Sequence, residues 1–350
     1  MFENVNKTPL EDIGEFGLID RIKSSVKIHH NQTLLGIGDD AAVLNPEQKH
    51  VVVTTDMLVE GIHFDLRYMP LKFLGYKSVA VNISDILAMN ATPFQITCSL
   101  AVSNRFSVEA IEELYEGIHR ACDAYKVDLV GGDTTSSVTG MVISITAIGL
   151  VNPEEWVGRF GAKNGDLICV TGNLGAAYAG LQILEREKKI FLENPGVQPD
   201  LDGYDYVVER QLKPEPRADM IRQLHELAIK PSSMIDISDG LASELLHLCK
   251  QSACGCRIDA EKIPIDTHTW KVAEDLNLQA ITMALYGGED YELLMTIRQE
   301  DFEQARMISD LHVIGYMTDD IGNCHVIDSQ NQLHPITASG WDTFRSQSKD

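Results

Sequence analysis

Positive charge is what this 350-residue sequence has least of: 29 Lys+Arg stand against 52 Asp+Glu, a formal net charge of −23. That balance excludes the usual nucleic-acid binder, which needs clustered Lys/Arg to displace counterions, and it argues against docking on an anionic membrane. No run reaches the ~18–20 apolar residues that span a bilayer. The opening Met1-Phe2-Glu3-Asn4-Val5-Asn6-Lys7 lacks the basic and apolar regions of a signal peptide. Seven Cys is an odd number, and several lie in apolar runs such as Leu167-Ile168-Cys169-Val170, which suits reduced thiols in the cytoplasm rather than a disulfide framework. Cys249, Cys254 and Cys256 are spaced wrongly for a zinc knuckle, and no second cluster pairs with them. Internal repeats, low-complexity tracts, G-x-x-x-x-G-K-[ST], G-x-G-x-x-G opening a helix, G-x-S-x-G and H-E-x-x-H are all missing.

What is present is an ordinary core supply, 44% hydrophobic, and a length that suits two domains at roughly 100–200 residues each. A short helix and a polar connection are expected over 8–30, and strands over Thr33–Gly38 and His50–Thr55. Helical spacing follows over Gly75–Asn90, where Ala80, Ser84 and Ala88 form a small-residue face. Phe94–Val102 reads as a strand and Val108–Tyr125 as an amphipathic helix with Ile111, Leu114, Ile118, Ala121 and Cys122 on one side. Val127–Val130 and Met141–Val151 read as strands flanking a Gly-Gly-Asp turn. Asn152-Pro153-Glu154-Glu155 marks the junction, giving domains 1–151 and 152–350. Beyond it come strand Asp166–Thr171, a helix to Glu187, a polar surface excursion from Lys188 to Tyr206, strand Ser233–Ile237 and helix Leu241–Lys250. Helix Ala280–Leu285, a Gly-Gly-Glu-Asp turn and strand Tyr291–Ile297 follow. The class is α/β (α+β) in two lobes.

A subset of the acids sits where apolar elements end and glycine gives room. Asp39 and Asp40 follow Gly36-Ile37-Gly38, Asp56 follows Val51-Val52-Val53-Thr54-Thr55, and Asp85 interrupts a nearly uncharged run. Asp133 follows Gly131-Gly132, Asp236 and Asp239 bracket Ile237-Ser238, and Glu289-Asp290 follow Gly287-Gly288. Each alone serves equally as an N-cap or turn former. Together, convergent carboxylates demand a cation, and Mg²⁺, with its preference for oxygen ligands and phosphate, is the economical one. Gly172-x-x-Gly175 at a strand-to-helix turn either holds an anion or serves close packing. Arg159 and Lys163 either clamp phosphate or lie in a solvated turn. His63, one of 11 His, is undecided between a structural and a catalytic role.

Gly36-Ile37-Gly38-Asp39-Asp40-Ala41-Ala42-Val43, Thr54-Thr55-Asp56-Met57-Leu58-Val59-Glu60-Gly61-Ile62-His63-Phe64 and Lys77-Ser78-Val79-Ala80-Val81-Asn82-Ile83-Ser84-Asp85 resemble the thiamine-monophosphate kinase family. So do Gly131-Gly132-Asp133-Thr134-Thr135, Asp236-Ile237-Ser238-Asp239-Gly240-Leu241 and Gly287-Gly288-Glu289-Asp290-Tyr291-Glu292-Leu293, in order from about Gly14 to Phe344. The resemblance implies the two-lobed fold of the aminoimidazole ribonucleotide synthetase superfamily. Its N-terminal α/β lobe dimerises through its sheets, and ATP lies in the groove between subunits and lobes. The Lys188–Tyr206 stretch is longer than the family's usual connection.

The metal ligands implied by that resemblance are Asp40, Thr54, Thr55, Asp56, Asp85, Asp133, Asp236 and Asp239, several Mg²⁺ ions in all, with Asp56, Asp85, Asp133 and Asp236 carrying catalysis. It implies ATP contacts from Gly132, Asp133, Arg159, Ser238 and, by stacking, Tyr115. His63, Glu289 and Trp341 would hold thiamine phosphate; Glu289 suits a cationic ring electrostatically and Trp341 can stack on one. The reaction implied is in-line transfer of the ATP γ-phosphoryl group to thiamine monophosphate in a cytoplasmic homodimer. Two alternatives stand beside it: another ATP-dependent synthetase of the superfamily, or a silent nucleotide-binding subunit. Selenophosphate synthetases carry an N-terminal Cys or selenocysteine, whereas no Cys here precedes Cys98. The carbamoyl dehydratase uses a C-terminal Cys, whereas this sequence closes on Ser346-Gln347-Ser348-Lys349-Asp350. Both siblings are disfavoured.

Overall fold

Residues 21–35, 43–44, 46 and 48–337 are described by a computed structural model of the chain, which divides into two units, Met1–Trp156 and Val157–Asp350. Expectations for the helix before residue 21, for Asp39 and Asp40, and for Trp341 fall outside the described residues.

In the first unit β1 (Thr33–Leu35) and β2 (Val43–Leu44) form a small antiparallel pair. There follow β3 (His50–Val59), α1 (Leu71–Ala88), β4 (Thr92–Val102), α2 (Val108–Tyr125), β5 (Asp128–Ser136) and β6 (Val142–Val151). The last four strands make one sheet in the order β3-β6-β4-β5. Only β4 and β5 run parallel, and the chain between them contains α2, as a parallel connection requires. β6 shows why the sheet has an inside: Ile143, Ile145 and Ala147 are buried, while Val142, Ser144, Thr146 and Ile148 between them are half-exposed.

Helix α1 is apolar or small on nearly its whole circumference, and 14 of its 18 residues are buried, including Ala80, Ser84 and Ala88. It packs against β3, β4 and β6 and against α2. Ser107 caps α2 by accepting from Ala110 N, and Lys126 ends it in the left-handed region at φ 56°. The two helices cross backbone to backbone. A Cβ on Gly75 would stand 1.9 Å from the carbonyl oxygen of Leu114, and one on Gly117 1.9 Å from that of Lys72.

Two expectations are corrected here. β3 does not end at Thr55 but runs on to Val59, because all ten of its residues pair with β6. Gly131-Gly132-Asp133 is not a turn: β5 passes straight through it, paired with Thr97, Cys98 and Ser99 of β4. Gly132 is needed there for close approach, since a Cβ would lie 1.9 Å from the Cys98 carbonyl oxygen.

The second unit contains β7 (Leu167–Thr171), α3 (Ala176–Glu193), α4 (Asp205–Leu212), α5 (Ala218–Glu226), β8 (Ser233–Asp236), α6 (Leu241–Ser252), β9 (Gly255–Asp259), α7 (Thr267–Asp275), α8 (Ala280–Tyr286), β10 (Leu293–Ile297), α9 (Phe302–Ala305), β11 (Leu311–Thr318), β12 (Cys324–Ile327) and β13 (Leu333–Pro335). Its seven strands lie in the order β13-β12-β9-β11-β7-β10-β8. Leu241, Leu245 and Leu248 of α6 join Ile168, Ile235, Leu294 and Ile314 of the sheet in one core. A second core gathers Ala179 and Ile183 of α3, Val207 of α4, Val272 of α7 and Met283 of α8. The expected helix to Glu187 continues to Glu193, so only the stretch from Asn194 onward is an excursion.

Gly117→Ala should destabilise the first unit by about 1–3 kcal/mol, since a backbone oxygen cannot rotate away as a side chain can. Denaturant midpoints of the two proteins measure it; an unchanged midpoint would show that the helices separate freely.

Candidate active site

The first group of site residues is built on β3 and α1. Thr54 and Asp56, two apart on β3, point to the face covered by α1. There the Thr54 hydroxyl donates to Asp85 Oδ2 at 2.6 Å, and Asn82, one turn earlier on α1, accepts from the Asp56 backbone N–H at 3.0 Å. The Asn82 amide is itself held by the Ser78 carbonyl at 3.0 Å. Burial, and then the charge of Asp85, push the Asp56 carboxyl up to about 6. Two carboxylates and a hydroxyl form a hard-oxygen donor set that fits a divalent cation such as Mg²⁺.

Other expected ligands do not join this group. Thr55 leaves the opposite face of β3, where its hydroxyl donates to the Ile145 carbonyl at 3.0 Å and accepts from Thr146 at 3.1 Å. Asp133 is farther still. Asp56 is in register with Ile145, Ile145 with Cys98, and Cys98 with Gly132. Asp133 therefore lies on the far edge strand and on the other face, three strand spacings or ~14 Å away. Among the described residues, no third carboxylate or imidazole completes a group with Asp56 and Asp85 whose ligand atoms all lie within 4.8 Å of one another.

His63 stands in the exposed turn after β3. Its Nδ1 accepts from Val59 N at 3.1 Å, which puts the proton of the neutral ring on Nε2. Tyr115 is a correction: it is buried on α2 and tilted against His119, so its ring is a packing element and is not presented for stacking.

The second group lies where β8 ends. Asp236 closes the strand and is buried; Ser238, Asp239 and Gly240 lead into α6. Glu244 of α6 turns back on this loop, accepting from Asp239 N at 2.9 Å and from the Ser238 hydroxyl at 3.5 Å. Burial first, and the charge of Asp239 among smaller effects, push the Glu244 carboxyl up to about 7. Asp239 is itself raised by burial and opposed by His247 and Arg159, so Arg159 and the Ser238–Asp239 loop share one electrostatic neighbourhood. Glu289 joins them: its N–H donates to the Ser238 carbonyl at 2.7 Å, and its carboxylate accepts from Gln211 Nε2 at 2.7 Å.

Comparison with known proteins gives this geometry its context. The AIR synthase related protein N-terminal domain matches residues 38–151, and the corresponding C-terminal domain matches 163–325. Thiamine-monophosphate kinase of Buchnera aphidicola subsp. Schizaphis graminum is 38% identical over 92% of this chain and 96% of its own length. The chain belongs to the thiamine-monophosphate kinase family. The crystal structure of that kinase from Stenotrophomonas maltophilia superposes with a TM-score of 0.77 at 32% identity, covering 90% of this chain and 96% of the other. AaThiL complexed with AMPPCP and TMP does so with a TM-score of 0.72 at 32% identity, covering 97% and 100%.

In this member of the thiamine-monophosphate kinase family, the turn Gly172-Asn173-Leu174-Gly175 does hold an anion, but one supplied by the chain itself. The Asp290 carboxylate accepts from Gly175 N at 2.7 Å and Ala177 N at 3.3 Å, at the start of α3. Burial raises Asp290 to about 7, opposed by Arg210 and by those two N–H groups. Arg210 and Arg217 grip Glu292 at 3.0 and 2.8 Å, and the Thr171 hydroxyl donates to it at 2.6 Å. Glu289 and Tyr291 on either side of Asp290 are left-handed, at φ 59° and 51°. Sequence reading missed Asn82, Gln211, Arg210 and Glu244. Asn82 carried a signal, a polar residue inside an apolar helix; the others reach the site from segments without a motif.

Asp56 ionises near 3.8 when unfolded and at about 6 when folded. The folded chain therefore holds the extra proton between these values, and stability falls as pH rises through them. Asp56→Asn should flatten that fall in melting experiments. Saturating Mg²⁺ should raise the melting temperature more near pH ~8 than near pH ~5, because ligand carboxylates must be ionised; equal shifts would count against a cation at this pair.

Proposed function

We propose that this chain transfers the γ-phosphoryl group of ATP to the phosphate of thiamine monophosphate, giving thiamine diphosphate and ADP. The observation that carries the reading is the match over 97% of the chain to AaThiL complexed with AMPPCP and TMP. The acceptor is already an anionic phosphate oxygen, so no strong general base is required. Catalysis rests on alignment and on cancelling charge.

In this reading Mg²⁺ is held by Thr54, Asp56 and Asp85 on one group and by Asp236 and Asp239 on the other, with Asp40, Thr55 and Asp133 as the remaining ligands. Bound there, it would neutralise the phosphates of donor and acceptor. Arg159 and Ser238 contact ATP; Gly132 and Asp133 do so from β5. Glu289, set by Gln211, faces the thiamine ring, while His63 presents its Nε2–H to the acceptor phosphate and Trp341 stacks on the ring. All seven cysteines are unpaired and buried. Among the described residues no helix is long and apolar enough to cross a membrane. We place the enzyme in the cytoplasm on these grounds.

An exposed sheet face supports a homodimer in this reading. Val51, Val53 and Met57 of β3 are 48–61% exposed on the face away from α1, alongside half-exposed Thr146 and Ile148 of β6, a patch that a second copy would cover. Because Asp56 and Asp133 occupy opposite edges of one sheet, a metal centre using both takes Asp133 from a second copy.

Purified protein with ATP, Mg²⁺ and thiamine monophosphate should yield thiamine diphosphate on chromatography. Formation from unphosphorylated thiamine instead would make it a pyrophosphokinase. Asp→Asn at Asp56, Asp85 or Asp133 should lower turnover at least about a hundredfold, ~3 kcal/mol of transition-state stabilisation. Mixing the Asp56→Asn and Asp133→Asn proteins under exchange conditions should restore activity, since a mixed dimer contains one intact centre. No recovery, with subunit exchange verified, would place both residues in a single-copy site.

A further inference from the structure

The second unit also gathers sulfur, in a place the phosphoryl-transfer reading does not use. Cys256 of β9 is in register with Cys324 of β12 on one side and with Met317 of β11 on the other. Residues in register share a sheet face, so the three form a row across neighbouring strands. Cys249, from the last turns of α6, lies in the same apolar core as that row, together with Leu245, Leu248 and Ile314. The sulfur atoms of Cys249, Cys256 and Cys324 all lie within 4.8 Å of one another, and all three residues are buried. Met317 is fully buried as well. Cys254, nearby in sequence, is engaged elsewhere, its thiol donating to the Ala162 carbonyl.

Three thiolates around one metal at ~2.3 Å stand ~4 Å apart, so this spacing needs little adjustment. Thiolate and thioether donors in an apolar shell select soft cations, Cu(I) above all. We infer that Cys249, Cys256 and Cys324 bind one soft, thiophilic cation of the Cu(I) class, with the Met317 thioether beside them. Each coordinating thiol gives up its proton to solvent as its metal–sulfur bond forms. Cys324 directly follows the exposed stretch Asp319–Asn323, in which Ile321 is 69% exposed. The site does not depend on the kinase reading.

The test uses the full chain, reduced and anaerobic, given Cu(I) as its bicinchoninate complex and then desalted. About one Cu(I) per chain should remain, with the luminescence of a copper–thiolate centre. Cys256→Ala and Cys324→Ala should each retain at least about tenfold less. Cys169→Ala, buried in β7 outside this core, should retain as much as the parent. Retention near zero in the parent, or equal retention in Cys256→Ala, overturns the inference and leaves three thiols that merely pack. Should the variants fail to fold, X-ray absorption on the loaded parent decides: a sulfur shell at ~2.3 Å supports the site, and a shell of nitrogen and oxygen alone rejects it.

Discussion

Two like-charged carboxylates, Asp56 and Asp85, share a half-buried corner between an edge strand and a helix, and much of the first unit is arranged to keep them there. Burial first, and repulsion from Asp85 second, raise the Asp56 pKa. The surrounding structure resists that repulsion by hydrogen bonds of 2.6 Å from Thr54 and 3.0 Å to Asn82. Those contacts work only because α1 lies directly against the sheet, and α1 stays in place because glycine lets α2 cross it without an intervening side chain. On the proposed reading, a divalent cation bound between the two carboxylates would relieve the repulsion between them.

The second unit solves a different electrostatic problem. It ties a strained loop, left-handed at Glu289 and Tyr291, to the start of α3 by the loop's own carboxylate, and braces the neighbouring Glu292 with two guanidinium groups. The helix terminus is thereby occupied by the chain's own Asp290 carboxylate.

Most of the elements and the two-unit division were legible in the order of apolar runs, and the acid motifs in their glycine-rich settings. Boundaries were misread where tertiary pairing overrode local signals. Gly131-Gly132 has the composition of a turn, yet parallel pairing with β4 stretches it into a strand. Adjacent Thr54 and Thr55 looked like joint ligands, yet a strand's two-residue period sends them to opposite faces. Tyr115 had the chemistry for stacking, but helical spacing turned it inward. Contacts made across long sequence separation, such as Gln211 with Glu289, leave no local pattern to read.

The character of α1 has a consequence for biosynthesis. A helix apolar on almost every side has little surface suited to water, and during synthesis it emerges before α2, β4 and β6, three of the elements that cover it. Until Val142–Val151 has left the ribosome and paired between β3 and β4, that segment is a hydrophobic rod without a home and a natural client for a holding chaperone. Truncated chains ending before β6 are correspondingly prone to aggregate, whatever the merits of the finished enzyme.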